Sequence, residues 1–417
     1  MTSSVFDVVV VGGGVAGSSL GAALARAGLE VLVVEREARF RDRVRGDALF
    51  PWGVVEMRRL GLVDLLPASG ARPLPRWQRY NDRVPGDPYE WRTDVPSGDV
   101  VWGVNHPGLQ EALFVEAAAA GAVTMRPAKA LAPSSVGDGY LTLPIDADDG
   151  RITVRTRLVV GADGRESGVR DWIGATSITD PTHHLVGGCL VEGVDLDPDA
   201  AHQGPVHPGV HGCMAWYPGG LSLILRHASG RVRTYLACQP KAAEAMRGRH
   251  AAEAFLATCA VAFPDGAFAD ARAVGPVAFF PGSDIYADRI AGQGIVLIGD
   301  AAGANDPTQG FGMSLIFRDV RELRDLLLGG DWQSAIEEFA RRRPSWYEPL
   351  RAYAIWDGPL ITDVGPDADA ARARQRRAAE RDPWRNGYGA INALGPEGLP
   401  VTEAARRRYL GEDLNEA

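Results

Sequence analysis

The chain opens on an apolar run, Phe6 to Val11, interrupted only by Asp7, and Val8 to Val11 carry no polar position to mark an exposed face. Strands covered on both faces, as in parallel sheets, read this way. Ser18 to Ala27, rich in Ala and Leu, follows and is closed by Gly28; Glu30 to Glu35 is the next strand. Strand, helix and strand in that order predict a βαβ unit. Gly53 to Leu66 predicts a helix, and so does the Ala-rich His106 to Gly121, ended by its glycine.

The pattern then shifts to alternation. Tyr140 to Ile145 and Ile152 to Val160 predict antiparallel strands, with a hairpin signal at Asp148-Asp149-Gly150. From about Ser177 to Phe280 short strands recur: Cys213 to Tyr217, Leu221 to Arg226 and Val232 to Cys238. Turns at Pro218-Gly219-Gly220 and Ser229-Gly230 separate them, and a mixed sheet covering a substrate is expected. Gly294 to Ile298 reads as a buried strand and Met313 to Leu328 as a long helix. Ala335 to Ala417 is expected to be helical, with Gly365 to Ala371 an acidic loop. No internal repeat is found.

Composition narrows the class. The 417 residues suffice for two domains or one interwoven unit. A hydrophobic share of 46% and a charged share of 23% suit a soluble globular protein. A net charge of −9 argues against nucleic acid or an anionic membrane as the main partner. Cys189, Cys213, Cys238 and Cys259 form no CxxC pair and no zinc spacing, so they read as buried hydrophobes, and no metal is expected. Val8 to Leu24 is apolar without a basic segment before it, which argues against a signal peptide. No apolar run reaches the ~18 residues of a membrane span. A soluble, cytoplasmic protein is expected.

Three stretches carry chemistry. Gly12-x-Gly14-x-x-Gly17 lies between strand and helix, and Glu35 ends the next strand. The first glycine allows the tight turn, the second admits a pyrophosphate, and the third lets helix and strand pack closely. Val15 and Ala16 open the helix, whose N–H groups and dipole suit phosphates. Glu35 can accept from a ribose hydroxyl. This motif does not separate NAD from FAD. Asp163-Gly164, after Leu158-Val159-Val160, is a strand end and turn where Asp163 can cap the following helix. Asp300 stands at the end of Ile295 to Ile298, placed for ribose or ribitol hydroxyls. Pro307 to Gly312 is a side-chain-poor loop whose N–H groups and following helix can stabilise charge on a ring. Taken together, the three read as separate grips on one large phosphate-bearing cofactor, FAD.

In order and spacing the motifs resemble the single-component FAD-dependent monooxygenases with the para-hydroxybenzoate hydroxylase fold. The resemblance spans about Phe6 to Leu328. It implies an α/β fold: a Rossmann-like FAD-binding domain, an inserted mixed-sheet substrate domain and a helical C-terminal region. The expected division is 1–176 and 281–330 for FAD, 177–280 for the sheet and 331–417 for the helices. It implies that Gly12, Gly14, Val15, Ala16, Gly17, Glu35 and Arg36 hold the ADP half of FAD, and that Arg43 or Arg45 contacts the cofactor. Asp163 and Gly164 match the family's central motif. Asp300 takes the ribitol, and Pro307, Gly310, Phe311 and Gly312 line the flavin edge. Four positions depart from the pattern: Gly303 for a common His, Phe311 for Gln, Ser314 for Asn and His106 for Arg.

The resemblance further implies that NAD(P)H reduces the FAD and that a flavin hydroperoxide passes one atom of O2 to an organic substrate. That substrate is an aromatic, polyketide or terpenoid compound, hydroxylated or epoxidised. Gly46-Asp47-Ala48-Leu49-Phe50-Pro51 resembles the segment of squalene-epoxidase-like members. Trp216, Tyr217, Arg226, His211 and His227 are candidate substrate contacts, and alternation puts Trp216 and Tyr217 on opposite faces. No catalytic side chain is evident. A double-bond reductase of the geranylgeranyl-reductase kind is the alternative. A flavin halogenase, whose Trp-x-Trp-x-Ile-Pro motif is absent, and a flavoprotein without turnover are weaker ones.

Overall fold

The structure, a computed structural model, describes residues 4–135, 139–194, 211–227, 231–385 and 390–413. Its larger sheet is built on the first apolar run. Ser4–Val11 lies between two parallel neighbours, Val31–Val34 and Gly150–Gly161. Val8, Val9 and Val10 are fully buried, as an unbroken β-branched run on a two-sided sheet requires. Ile295–Leu297 joins beyond, with Val159 opposite Ile295, so the last third of the chain completes a sheet begun in the first ten residues. Leu141–Ala147 folds back antiparallel on Gly150–Gly161 through the expected hairpin.

The second sheet contains the three expected strands, Gly212–Tyr217, Gly220–Arg226 and Val232–Cys238, beside His184–Glu192. Its outer strand comes from elsewhere. Arg76–Asn81, inside the stretch assigned to the cofactor region, pairs in parallel with Gly212–Tyr217. That strand mixes arginine, aromatic and amide residues, so no apolar alternation marks it. Both faces are nonetheless covered, and Trp77, Gln78 and Tyr80 are buried. All four cysteines pack on the side of this sheet away from the first, with Phe255 and Phe263. Burial pushes the Cys238 thiol up to about 11.

Two helix expectations change. The helix expected over Gly53 to Leu66 is Pro51–Arg59; Gly61, at φ +69°, turns the chain before a short helix at Leu65–Ala68. The stretch Gly365 to Ala371 is not a loop. Pro366–Arg381 is a helix with proline in its first turn beside Asp367 and Asp369, where fixed φ and negative charge both favour a helix start. No described helix is long and apolar enough to cross a membrane, and the described residues contain no metal-type cluster.

Candidate active site

A cavity of about 1080 Å³ runs from the glycine turn, past the ends of the parallel strands, to the underside of the second sheet. At its first end Gly12 adopts φ +106°, and a Cβ there would collide with the Ala162 carbonyl of the neighbouring strand. A Cβ at Gly17 would strike the Gly12 carbonyl, so Gly17 serves helix–strand packing and does not line the cavity. Gly14 precedes the helix Val15–Arg26, whose Val15 and Ala16 face the cavity. The buried Glu35 carboxylate accepts the Gly13 N–H at 2.7 Å and the Glu37 N–H at 2.7 Å. It thereby shapes the turn from the next strand, with further lone pairs left for a ligand hydroxyl.

The middle grip is a bridge between distant turns. Asp163 accepts the N–H groups of Gly168 and Val169 at 2.8 and 3.3 Å and so fixes the start of the helix Val169–Trp172. Buried Arg170 of that helix donates to the carbonyls of Asp300 and Ala301 at 2.7 and 2.8 Å. Beneath the same turn, fully buried Asp319 accepts the Gly299 N–H at 2.9 Å, Arg343 Nε at 2.9 Å and Trp346 Nε1 at 2.8 Å. Asp300 is thus held by its backbone, and its carboxylate faces the cavity.

The loop Asp306 to Gly312 closes the far end. Asp306 accepts the Thr308 N–H at 2.9 Å, and Gly310 takes φ +70°. Behind it Asp284 accepts the Asp306 N–H at 2.8 Å, Asn305 Nδ2 at 2.9 Å and the Tyr347 hydroxyl at 2.9 Å. Burial outweighs these donors and pushes the Asp284 carboxyl up to about 6. Pro307, Gly310 and Gly312 line the cavity. The Phe311 side chain does not: it is fully buried against Phe50, Trp52 and Tyr353, because an aromatic ring gains more in that core than on a polar loop. Two of the four departures from the family pattern sit at close contacts. A Cβ at Gly303 would already meet Tyr286, Arg343 and Tyr347 at 3.1–3.2 Å. Ser314 lies where Gly53 lets two helices approach.

Between the grips runs an arginine segment. Arg36 and Arg43 are exposed at the mouth, Arg43 pairing with Glu37 at 3.3 Å. Arg45 is half-buried; burial lowers its pKa and the nearby Asp300 raises it, and its guanidinium lies 5.9 Å from the Phe280 ring. His106 is pushed down by burial and is therefore neutral, with Nδ1 3.2 Å from the Gly46 carbonyl it donates to.

The second sheet roofs the cavity. Trp216 packs with Val186, Leu221 and Ala237 on the cavity side, whereas the Tyr217 ring joins the cysteine-rich core on the far side and touches the cavity only at the strand end. The two rings lie on opposite faces of the strand, as alternation requires. Arg226, His211 and His227 stand outside the cavity wall. Asp47 and Tyr235, not named as substrate contacts from sequence, are on it. Asp47 lies in a quoted segment; nothing in the sequence links it to a tyrosine 188 residues away.

FAD fits these residues. The cavity exceeds the ~300–1000 Å³ of sites for drug-sized ligands, leaving room for a large cofactor and a substrate. Asp163 Oδ1 is buried at its wall with no partner, and a bare-glycine turn faces a helix N-terminus. A glycine-fingered parallel sheet with a second covering sheet defines a dinucleotide-binding protein. The FAD binding domain family matches residues 5–329, and the chain belongs to it. It is 26% identical to 3-demethoxyubiquinol 3-hydroxylase of Escherichia coli over 363 residues, covering 82% of this chain and 86% of that one. It is 26% identical to mouse squalene monooxygenase over 77% of this chain and 54% of that one. In fold it is similar to p-nitrophenol 4-monooxygenase PnpA of Pseudomonas putida, with TM-score 0.75, 20% identity and coverage of 100% and 98%. The chondrochloren halogenase CndH, from a myxobacterium, shares the fold at TM-score 0.73, with 19% identity and coverage of 98% and 97%. The chain is a FAD-dependent monooxygenase, an oxidoreductase.

Proposed function

We propose that this enzyme takes reducing equivalents from NAD(P)H and inserts one oxygen atom into an organic substrate held between the Pro307–Gly312 loop and the second sheet. Bound FAD supplies the electron transfer and the oxygen chemistry. The chain's own residues bind, orient and exclude water. Gly12, Gly14, Val15, Ala16, Gly17 and Glu35 form the grip for the ADP half, with Arg36, Arg43 and Arg45 toward the phosphates. Asp163, Gly164 and Asp300 serve the polyol. Pro307, Gly310, Gly312 and the Phe311 backbone border the ring, where the dipole of the helix Gly312–Leu328 favours negative charge. Trp216 and its apolar neighbours shield the reacting centre from water.

The continuity of the cavity carries this reading: the glycine turn, Asp300, the loop and the apolar roof share one space. The substrate class extends from the relatives to aromatic, polyketide or terpenoid compounds, by hydroxylation or epoxidation. The test is turnover under labelled dioxygen with NADH or NADPH. One labelled atom in the product is expected. Anaerobic turnover that adds only hydrogen would establish a reductase in its place.

A further inference from the structure

The register of the second sheet arranges its cavity face in rows. Ala237, Leu221 and Trp216 stand side by side in one, and Tyr235, Leu223 and Met214 in the next. Five of these six are apolar side chains; Tyr235 alone brings a hydroxyl, and its placement is over-determined. The Tyr235 hydroxyl donates to Asp47, which is buried and also lines the cavity. Opposite Tyr235 on the adjacent strand is Gly188, where a Cβ would come within 2.8 Å of the Tyr235 ring and 2.7 Å of Val44. Two positions before Tyr235 is buried Arg233, 2.6 Å from Asp42 and 3.3 Å from Asp47, which supplies the countercharge. The segment below is strained. Val44 has φ +56°, rare for a β-branched residue, and Asp42 holds it by accepting its N–H at 2.8 Å. Strain of this kind persists where surroundings enforce it and clusters at functional sites.

The polarity of the site follows. Burial, then Asp47, raises the Tyr235 phenol well above its ordinary value, so it keeps its proton. That proton is directed to Asp47, with the Val44 carbonyl, 3.4 Å away, a longer second acceptor. Tyr235 and Asp47 both line the cavity, and a phenol oxygen whose proton is so engaged keeps lone pairs able to accept. Resting on the monooxygenase reading above, we propose that Tyr235 is a specificity-determining residue that accepts a hydrogen bond from a hydroxyl or amino group on the substrate. Asp47 is the positioning residue that fixes this polarity. The site favours hydroxy- or amino-bearing ring compounds over hydrocarbons of the same shape.

The experiment uses the full-length holoenzyme and two probes of similar shape, 2-naphthol and 2-methoxynaphthalene, with dissociation constants read by calorimetry. The parent is expected to favour the hydroxyl probe about tenfold, the size of one hydrogen bond. In Tyr235→Phe the ratio falls to about one. In Asp47→Asn, where the tyrosine proton is less firmly committed, it falls several-fold. A parent ratio of one or less, or a ratio unchanged in either variant, overturns the proposal. FAD content and oxygen incorporation are measured on the same preparations. A preparation without FAD that keeps the tenfold ratio fails the monooxygenase reading and leaves this proposal standing.

Discussion

Arg170 and Asp300 are joined across 130 residues of sequence: the guanidinium of one donates to the main-chain carbonyl of the other at 2.7 Å. A second bond, Nε to the Ala301 carbonyl at 2.8 Å, makes the grip two-pronged. The planar fork spans two adjacent carbonyls, which a single ammonium does not. In Arg170→Lys the turn bearing Asp300 is expected to loosen, raising the FAD dissociation constant about tenfold. FAD fluorescence on serial dilution reads this directly. Unchanged retention would separate the turn from cofactor binding.

Asp300 itself presents only its carboxylate to the cavity. Asp300→Ala is expected to weaken FAD retention by about 1.5–3 kcal/mol, the range for a hydrogen bond to a charged group. Because Arg170 holds the backbone, the far-ultraviolet circular dichroism should match the parent. A variant holding FAD as tightly as the parent shows that Asp300 is not the polyol ligand.

Glu35 accepts two main-chain N–H groups, one on each oxygen. Glu35→Gln forces an amide NH₂ against one of them and leaves a buried donor unsatisfied, at a cost of about 1–3 kcal/mol. Both thermal stability and FAD affinity should fall together. Loss of affinity without loss of stability would mean that Glu35 serves the ligand alone.

Asp284 gives stability a pH dependence of unusual sign. Its folded value, about 6, lies above the ordinary 3.8, so the folded state holds the proton more tightly. That contribution is complete below about pH 4 and is lost as pH rises through about 6. A shift of this size is worth about 3 kcal/mol. Asp284→Asn stays neutral throughout, so its stability relative to the parent should rise between pH 4 and 7 in urea unfolding. A constant difference across that range is the contrary result.

What the sequence revealed follows from how local each requirement is. The Gly12 turn was legible because its left-handed backbone belongs to a six-residue motif, although the Ala162 carbonyl that also bars a side chain there is remote in sequence. Trp216 and Tyr217 were sorted by simple alternation. Arg170 was silent, since its partners lie in a turn that only folding brings near. The place of the Phe311 ring was not legible because its loop is polar while the ring belongs to a core assembled from Phe50, Trp52 and Tyr353. Arg76–Asn81 escaped notice because its mixed residues show no apolar alternation, although Trp77 packs against Phe50 and Trp91 on one face and Tyr80 against Phe263 on the other. Pro366 to Ala371 looked like a loop by composition, although proline and acidic residues also start helices.

The parallel pairing of Ile295–Leu297 with Gly150–Gly161, and of Gly212–Tyr217 with Arg76–Asn81, sets an order of events at the ribosome. The glycine turn emerges first, yet the turn bearing Asp300 and the loop ending at Gly312 are made only after about seven-tenths of the chain. Arg76–Asn81 waits with an open edge until Gly212–Tyr217 is made, and Gly150–Gly161 until Ile295–Leu297, a state prone to mispairing. Tight cofactor capture therefore belongs to the end of synthesis, and it doubles as a checkpoint: a chain that retains FAD has joined its earliest and latest strands.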